Sequence, residues 1–202
     1  MKLHVIVIAY NRPVPLRILV DSFIVQHSLN PAVSVDWDMV IVHDGPASEE
    51  VLNTVALYEN NPKISFIATE KRAGNSGYAN RRDWLQKIKG EQDDFVLITN
   101  DDNYYVPRFI ELFFEEAVKG RVGMIYCDFP HWNFYYDVLI SKVKVNYIDM
   151  GAFIVNVHIA KKVGFVHDVP GADGMFAEEC AAKCAEEQYN IVKINKPLFV
   201  HN

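Results

Sequence analysis

A short apolar run, Phe95-Val96-Leu97-Ile98-Thr99, ends at four consecutive oxygen-bearing side chains, Asn100-Asp101-Asp102-Asn103. The run is rich in β-formers and bounded on both sides by polar residues, so it reads as a buried strand. The quartet cannot continue that strand, because unpaired carboxylates are costly to bury. The chain must leave the sheet there, and Pro107 sits where it can open a following helix, at a first-turn position where its missing N–H is no loss. The carboxylates then hang at the carboxyl end of a central strand, the edge at which open α/β sheets bind ligands. Adjacent carboxylates repel unless a cation joins them, and an oxygen-rich set suits Mg2+ or Mn2+. The competing reading is an acidic turn that caps the helix.

The same pattern recurs along the chain. Leu3 to Ala9 is apolar throughout and ends in Tyr10-Asn11-Arg12-Pro13; Asp38 to His43 ends in Asp44-Gly45-Pro46. Lys63 to Ala68 and Val122 to Cys127 read as further strands. Helices are expected from Pro15 to Gln26, from Ser48 onward, from the Thr69–Gly77 loop to Lys89, and across Ile110, Phe113, Phe114 and Ala117. Strand–helix alternation with short connections implies right-handed βαβ units and a mainly parallel sheet flanked by helices. Three strand ends thus carry polar groups on one edge. No glycine-rich dinucleotide fingerprint follows the first strand and no Walker A sequence occurs, which argues against dinucleotide and P-loop sites.

Beyond residue 128 the pattern changes. Pro130-His131-Trp132-Asn133-Phe134-Tyr135-Tyr136 is dense in aromatics with polar handles, which suits sugar rings or an ordinary packed hairpin. Lys142 to Met150 alternates as a strand would, Ala152 to Val163 reads as a short strand running into a helix, and Asp173 begins a helix to about Gln188. Phe176, Cys180 and Cys184 form a core stripe on that helix, and Asn190–Ile194 and Leu198–Val200 read as closing strands.

With 202 residues, half of them hydrophobic, the chain can bury the core of one domain, residues 1–202. A net charge of −6 argues against broad nucleic-acid binding. Three scattered cysteines fit a reducing compartment, so a cytoplasmic location is expected. The Leu3–Ala9 run is too short for a signal peptide or a membrane span.

Four segments, in order, resemble the GT-A fold glycosyltransferases of family 2: Ala9-Tyr10-Asn11-Arg12-Pro13, Val40-Ile41-Val42-His43-Asp44-Gly45, Asn75-Ser76-Gly77-Tyr78-Ala79-Asn80-Arg81, and Thr99-Asn100-Asp101-Asp102-Asn103, which is similar to the DxD motif. The resemblance implies a Rossmann-like sheet whose first half, 1–110, binds a nucleotide-diphosphate sugar, a UDP-sugar above all, and whose second half, 111–202, forms a smaller acceptor-side region. It implies that Asp44 hydrogen-bonds the base, that Tyr10 lines it, and that Arg12, Asn75, Asn80 and Arg81 lie near ribose or diphosphate. The family's Arg-Asn pair reads Ala79-Asn80 here, so Arg81 or Arg82 stands in for the arginine. Asn100 replaces the first DxD aspartate, leaving Asp101 in the middle and Asp102 as the metal ligand; His201, after an expected strand, is a second ligand for Mn2+ or Mg2+. Inverting transfer needs a carboxylate base. The family's segment maps to 171–179, with Asp173 first, Glu178 second and Glu179 behind. The acceptor is a saccharide or another hydroxyl compound. The alternatives are a catalytically degenerate nucleotide- or sugar-binding domain and a sugar nucleotidyltransferase.

Overall fold

A computed structural model describes residues 1–202. Strand β1 (Leu3–Ala9) is buried at every position, as a run without alternation requires of a central strand. Helix α1 (Pro13–Ile24) opens on Pro13 and lays Leu16, Leu19, Val20 and Phe23 against the sheet. After β2 (Trp37–His43), helix α2 (Glu49–Ala56) is capped by Ser48, whose side chain accepts from the Val51 N–H, and carries Glu49 and Glu50 where the helix dipole favours them. β3 (Ile64–Ala68), α3 (Tyr78–Lys87) and β4 (Phe95–Asn100) complete the first half.

The order β3-β2-β1-β4 is parallel throughout. The register sets Ala9 beside His43 and Ile8 beside Asn100. The residues that follow these strands, Tyr10, Asp44 and Asp101, therefore leave the sheet at one edge.

The second half is mixed. It comprises β5 (Tyr104–Tyr105), α4 (Phe109–Ala117), β6 (Val122–Pro130), β7 (Val138–Leu139), β8 (Phe153–Asn156), α5 (Val157–Val163), α6 (Ala172–Glu186), β9 (Asn190–Pro197) and β10 (Phe199–Val200). β8 lies antiparallel between β4 and β6, β9 runs parallel to β6, and β7 folds back on β6. β10 leaves the large sheet and pairs with β5, just beyond the carboxylates. The helix expected at Pro107 begins two residues later, at Phe109.

One expectation is corrected here. Lys142 to Met150 is not a strand: Asn146 has φ 66°, and Lys142 N–H donates to the Tyr147 carbonyl at 3.1 Å, closing a loop. The short strand and helix expected over Ala152–Val163 are β8 and α5, and the Asn156 side chain starts the helix by accepting from the His158 and Ile159 N–H groups. The stripe of Phe176, Cys180 and Cys184 on α6 is buried as the spacing requires. No helix is long and apolar enough to cross a membrane.

At the opposite edge of the sheet His4 is buried between two carboxylates, Nδ1 at 2.8 Å from Asp38 and Nε2 at 3.4 Å from Asp94. Burial opposes the imidazolium charge, but the two aspartates outweigh it and raise the His4 pKa. A group that binds its proton more tightly in the folded chain stabilises the fold fully below its unfolded pKa of about 6.5, and that stabilisation fades as pH rises through the raised value. The melting-temperature difference between wild type and His4→Asn should accordingly be largest near neutral or mildly acidic pH and shrink in alkali. A difference constant across that range would count against the ion pairs.

Candidate functional site

The polar edge of the parallel half surrounds a cavity of about 340 Å3. Tyr10, Arg12, Asp44, Arg72, Arg81 and Asn100 line it, with Gly74, Ser76 and Gly77 forming one wall. Gly77 has φ +71°, and a Cβ there would collide with the Ile8 side chain, so only glycine lets this wall approach β1.

Asp44 is nearly fully buried and held on several sides. Its Oδ1 accepts from Ala73 N–H at 2.8 Å and Asn80 Nδ2 at 2.9 Å, and its Oδ2 accepts from Gly74 N–H at 2.9 Å. A carboxylate has about four lone-pair positions, so one remains. Asn80 thus faces Asp44, fixing it, rather than the open cavity. The Arg72 guanidinium lies 3.7 Å from the Tyr10 ring centroid. Beneath them His43 Nδ1 lies 2.8 Å from the Gly45 carbonyl, which can only accept; the ring proton is therefore on Nδ1, and Nε2 accepts from Asn11 N–H at 3.1 Å. This bond holds Asn11 at φ 47° and sets the turn that presents Tyr10 and Arg12.

Arg12 bridges the two adjacent carboxylates, reaching Asp101 Oδ1 at 2.5 Å and pairing with Asp102 Oδ2. Asp101 is fully buried, and its Oδ2 accepts from Tyr10 N–H at 2.9 Å. Burial pushes the Asp101 carboxyl up to about 6, against the pull of Arg12 and the Tyr10 N–H. Burial also raises Asp102, again opposed by Arg12.

Arg81 is buried and joins the two halves. It donates from Nη2 to Asn100 Oδ1 at 2.7 Å and from Nη1 to Asp173 Oδ1 at 3.2 Å. Asp173 sits in the first turn of α6; burial pushes its carboxyl up to about 6, with Arg81 as the main opposing charge. His201 Nδ1 is 3.0 Å from Asp149 Oδ2. Burial opposes the charged imidazole, but Asp149, with Asp102 and Asp173 further off, outweighs it and raises the His201 pKa. Asn202 Nδ2 donates to the Asp102 carbonyl at 2.9 Å, tying this segment to the carboxylate turn.

Tyr10, Arg12, Asp44, Arg81, Asn100, Asp101, Asp102, Asp173 and His201 are therefore brought into one region. Others are turned elsewhere. Asn75 is exposed and donates to the Asp168 carbonyl at 3.3 Å, while Arg82 pairs with the Asp168 carboxylate at 2.7 Å, outside the cavity lining. Glu178 is exposed and accepts from Val145 N–H at 2.9 Å, and Glu179 pairs with His167 at 2.7 Å. Arg72, His43 and Asp149 were missed in the sequence. Asp149 carried no usable signal, since it fell within a stretch read as a strand.

No group of three or more His, Cys, Asp or Glu side chains converges as a ready cation site. Two buried oxygens without a partner nevertheless lie here, Asp102 Oδ1 and Asn103 Oδ1, while Asp101 Oδ1 and His201 Nδ1 are taken up by Arg12 and Asp149. Orphaned oxygens beside an imidazole are the donor chemistry that Mn2+ accepts.

The fold has solved counterparts. The S. aureus protein TarS in complex with UDP is 18% identical, with a TM-score of 0.76 over 99% of this chain and 60% of that one. A longer TarS structure gives a TM-score of 0.76 at 17% identity, covering 100% of this chain and 37% of that one. The mannosyltransferase PcManGT from Pyrobaculum calidifontis, in complex with GDP-Man and Mn2+, gives 0.71 at 17% identity, over 98% of this chain and 56% of that one. The chain thus spans between 37% and 60% of the length of these proteins. No curated protein matches it. The family model described as "Glycosyl transferase family 2" matches residues 4–148, most of the chain and all four segments singled out in the sequence. The fold is the mostly parallel α/β sandwich of the GT-A glycosyltransferases, and the chain belongs to glycosyl transferase family 2.

Proposed function

We propose that this chain transfers a sugar from a nucleoside-diphosphate donor, a UDP-sugar in the first instance, to a hydroxyl acceptor, with inversion at the anomeric carbon. The observation that carries the reading is one continuous arrangement. Three arginines and Asp44 line a cavity of about 340 Å3, and Arg81 connects that cavity to a carboxylate, Asp173, on the other half of the fold. A nucleoside diphosphate suits the first part: Asp44 keeps a lone pair for a base N–H, the Tyr10 ring offers a stacking face, and Arg12 and Arg81 meet the diphosphate charge. TarS bound to UDP supports a uridine donor, whereas PcManGT bound to GDP-Man supports a guanosine one.

Asp173 suits the second part. As the acceptor oxygen forms its bond to the anomeric carbon, Asp173 takes the hydroxyl proton, and the bond to the diphosphate breaks with its electron pair on the departing phosphate oxygen. A carboxyl titrating at about 6 is ionised at neutral pH yet basic enough to accept that proton. Glu178, held by the Val145 N–H, is the weaker candidate. Asp102 and His201, with Asp101 beside them, would hold a Mn2+ or Mg2+ ion, which supplies neutralisation of charge on the leaving diphosphate.

The test is calorimetric titration of the chain with UDP and with GDP, each in Mn2+ and in EDTA. Metal-dependent binding of one nucleotide is expected; binding of neither would overturn the reading. Arg81 gives a second check. Removing its cation lets burial raise Asp173 further, so the acid limb of the pH–rate profile should move to higher pH in Arg81→Gln. A limb that stays put would take Asp173 out of the role of base.

A further inference from the structure

The turn between β6 and β7 is unusual in what it exposes. Trp132 is 54% exposed, Phe134 50%, Tyr135 95% and Tyr136 54%. Aromatic side chains at this density are normally at least half covered by the protein itself, and their exposure marks a contact surface. The backbone beneath them is unusual too. Tyr135 and Tyr136 both lie in the left-handed region, at φ 53° and 63°. Glycine or asparagine takes that conformation with little strain, whereas aromatic residues resist it. A turn shaped only for stability would not carry two tyrosines there, and strain of this kind points to use.

The turn is also fastened to the candidate site. Trp132 N–H donates to the His201 carbonyl at 3.0 Å, and the His131 ring stacks on His201 at 4.2 Å with 8° between planes. Tyr136 Oη donates to Asn202 Oδ1 at 2.8 Å, and Asn202 in turn donates to the Asp102 carbonyl. The exposed rings therefore stand beside the carboxylates rather than on a remote face.

We propose that this turn is the platform for the acceptor, and that the acceptor is an oligosaccharide of at least two rings whose apolar faces lie on Trp132 and Tyr135. The proposal rests on the transfer reading above and narrows its acceptor from any hydroxyl compound to a carbohydrate chain. Sugars present flat C–H faces to aromatic rings and hydroxyls to the Tyr and Trp polar handles. Several exposed rings in one turn suit several sugar units, and the attachment through His201 and Asn202 brings the end of such a chain toward Asp173 and Asp102. A lipid surface would also cover exposed aromatics, and the test separates the two.

Trp132 gives the readout, since Trp37 is buried and Trp84 is not part of the turn. Tryptophan fluorescence of the intact chain is followed against cello-, chito- and malto-oligosaccharides of one to six units at millimolar concentration, and against phosphatidylglycerol vesicles. The expected result is a response to one series that strengthens from the monosaccharide to longer members. Tyr135→Asn, which relaxes the backbone strain and so keeps or raises the melting temperature, should weaken that affinity about tenfold. Trp132→Phe keeps a ring and should bind, read by calorimetry, whereas Trp132→Ala should not. UDP affinity in Mn2+ should be unchanged in all three variants. Wild type that binds UDP but none of the three series, or that responds to vesicles instead, overturns the acceptor platform alone; oligosaccharide affinity untouched by both Tyr135→Asn and Trp132→Ala does the same. Absence of nucleotide binding in wild type strikes at the transfer reading.

Discussion

Asp173→Asn should reduce sugar transfer by about a thousandfold while leaving UDP affinity within about threefold of wild type, because a positioned general base contributes roughly 10²–10⁴. The amide keeps the shape of the carboxylate, and its oxygen can still accept from Arg81 Nη1, so the link between the two halves survives. What it loses is the ability to take a proton from the acceptor. Transfer measured by release of UDP from a UDP-sugar, alongside calorimetric UDP binding, separates the two effects. Activity within tenfold of wild type would remove Asp173 from the role of base. Glu178→Gln serves as the internal comparison. That carboxylate is exposed and accepts from the Val145 N–H, which the amide oxygen of the variant can still do, so the 142–147 loop should keep its place and the rate should change little.

Asp102→Ala should remove the metal dependence of nucleotide binding. In wild type, UDP is expected to bind more tightly in Mn2+ than in EDTA; the variant should show the EDTA affinity in both, a loss of about a hundredfold, or about 3 kcal/mol, in Mn2+. The sign of the EDTA comparison is informative as well. Asp102 is one of the two carboxylates that hold Arg12, so its removal frees that guanidinium for the diphosphate, and metal-free affinity should hold or rise slightly. A variant that binds UDP as wild type does in Mn2+ would show that the cation is held elsewhere.

The parallel half of the fold was legible in the sequence because its signals are local. β1, β2 and β4 are continuous apolar runs, Ser48 caps α2 with its own hydroxyl, and each strand stops at a polar residue that marks the edge of the sheet. Tyr10, Arg12, Asp44 and Asp101 follow from that alone, because parallel strands in register bring their ends together. The second half was harder to read. β8 inserts antiparallel between β4 and β6, a pairing that four residues of sequence do not announce. The alternation at Val143, Val145 and Tyr147 imitates a strand, but Asn146 turns left-handed and Gly174 of α6 packs against the backbone of Val145, so the segment is a loop laid on a helix. Asn75 and Arg82 were placed near the nucleotide by resemblance, yet a partner 86 or more positions away, Asp168, draws both side chains to itself. Asn80, which the resemblance sets near ribose or diphosphate, donates to Asp44, a contact that only the distances reveal.

The contact between Asn202 and the Asp102 carbonyl joins residues 100 positions apart, and β10 reaches β5 across a similar span. As the chain is synthesised, β1 through β4 are complete while the partners of Asp102 on that side do not yet exist. In that interval two adjacent carboxylates stand at the end of a strand already being packed, and the counter-charge open to them comes from the neighbouring strand end, on Arg12. The guanidinium is then an intramolecular stand-in that lets the acidic turn settle early, before the rest of the cleft closes around it. A cation drawn to this turn would have to compete with Arg12 for carboxylates that one guanidinium only half neutralises.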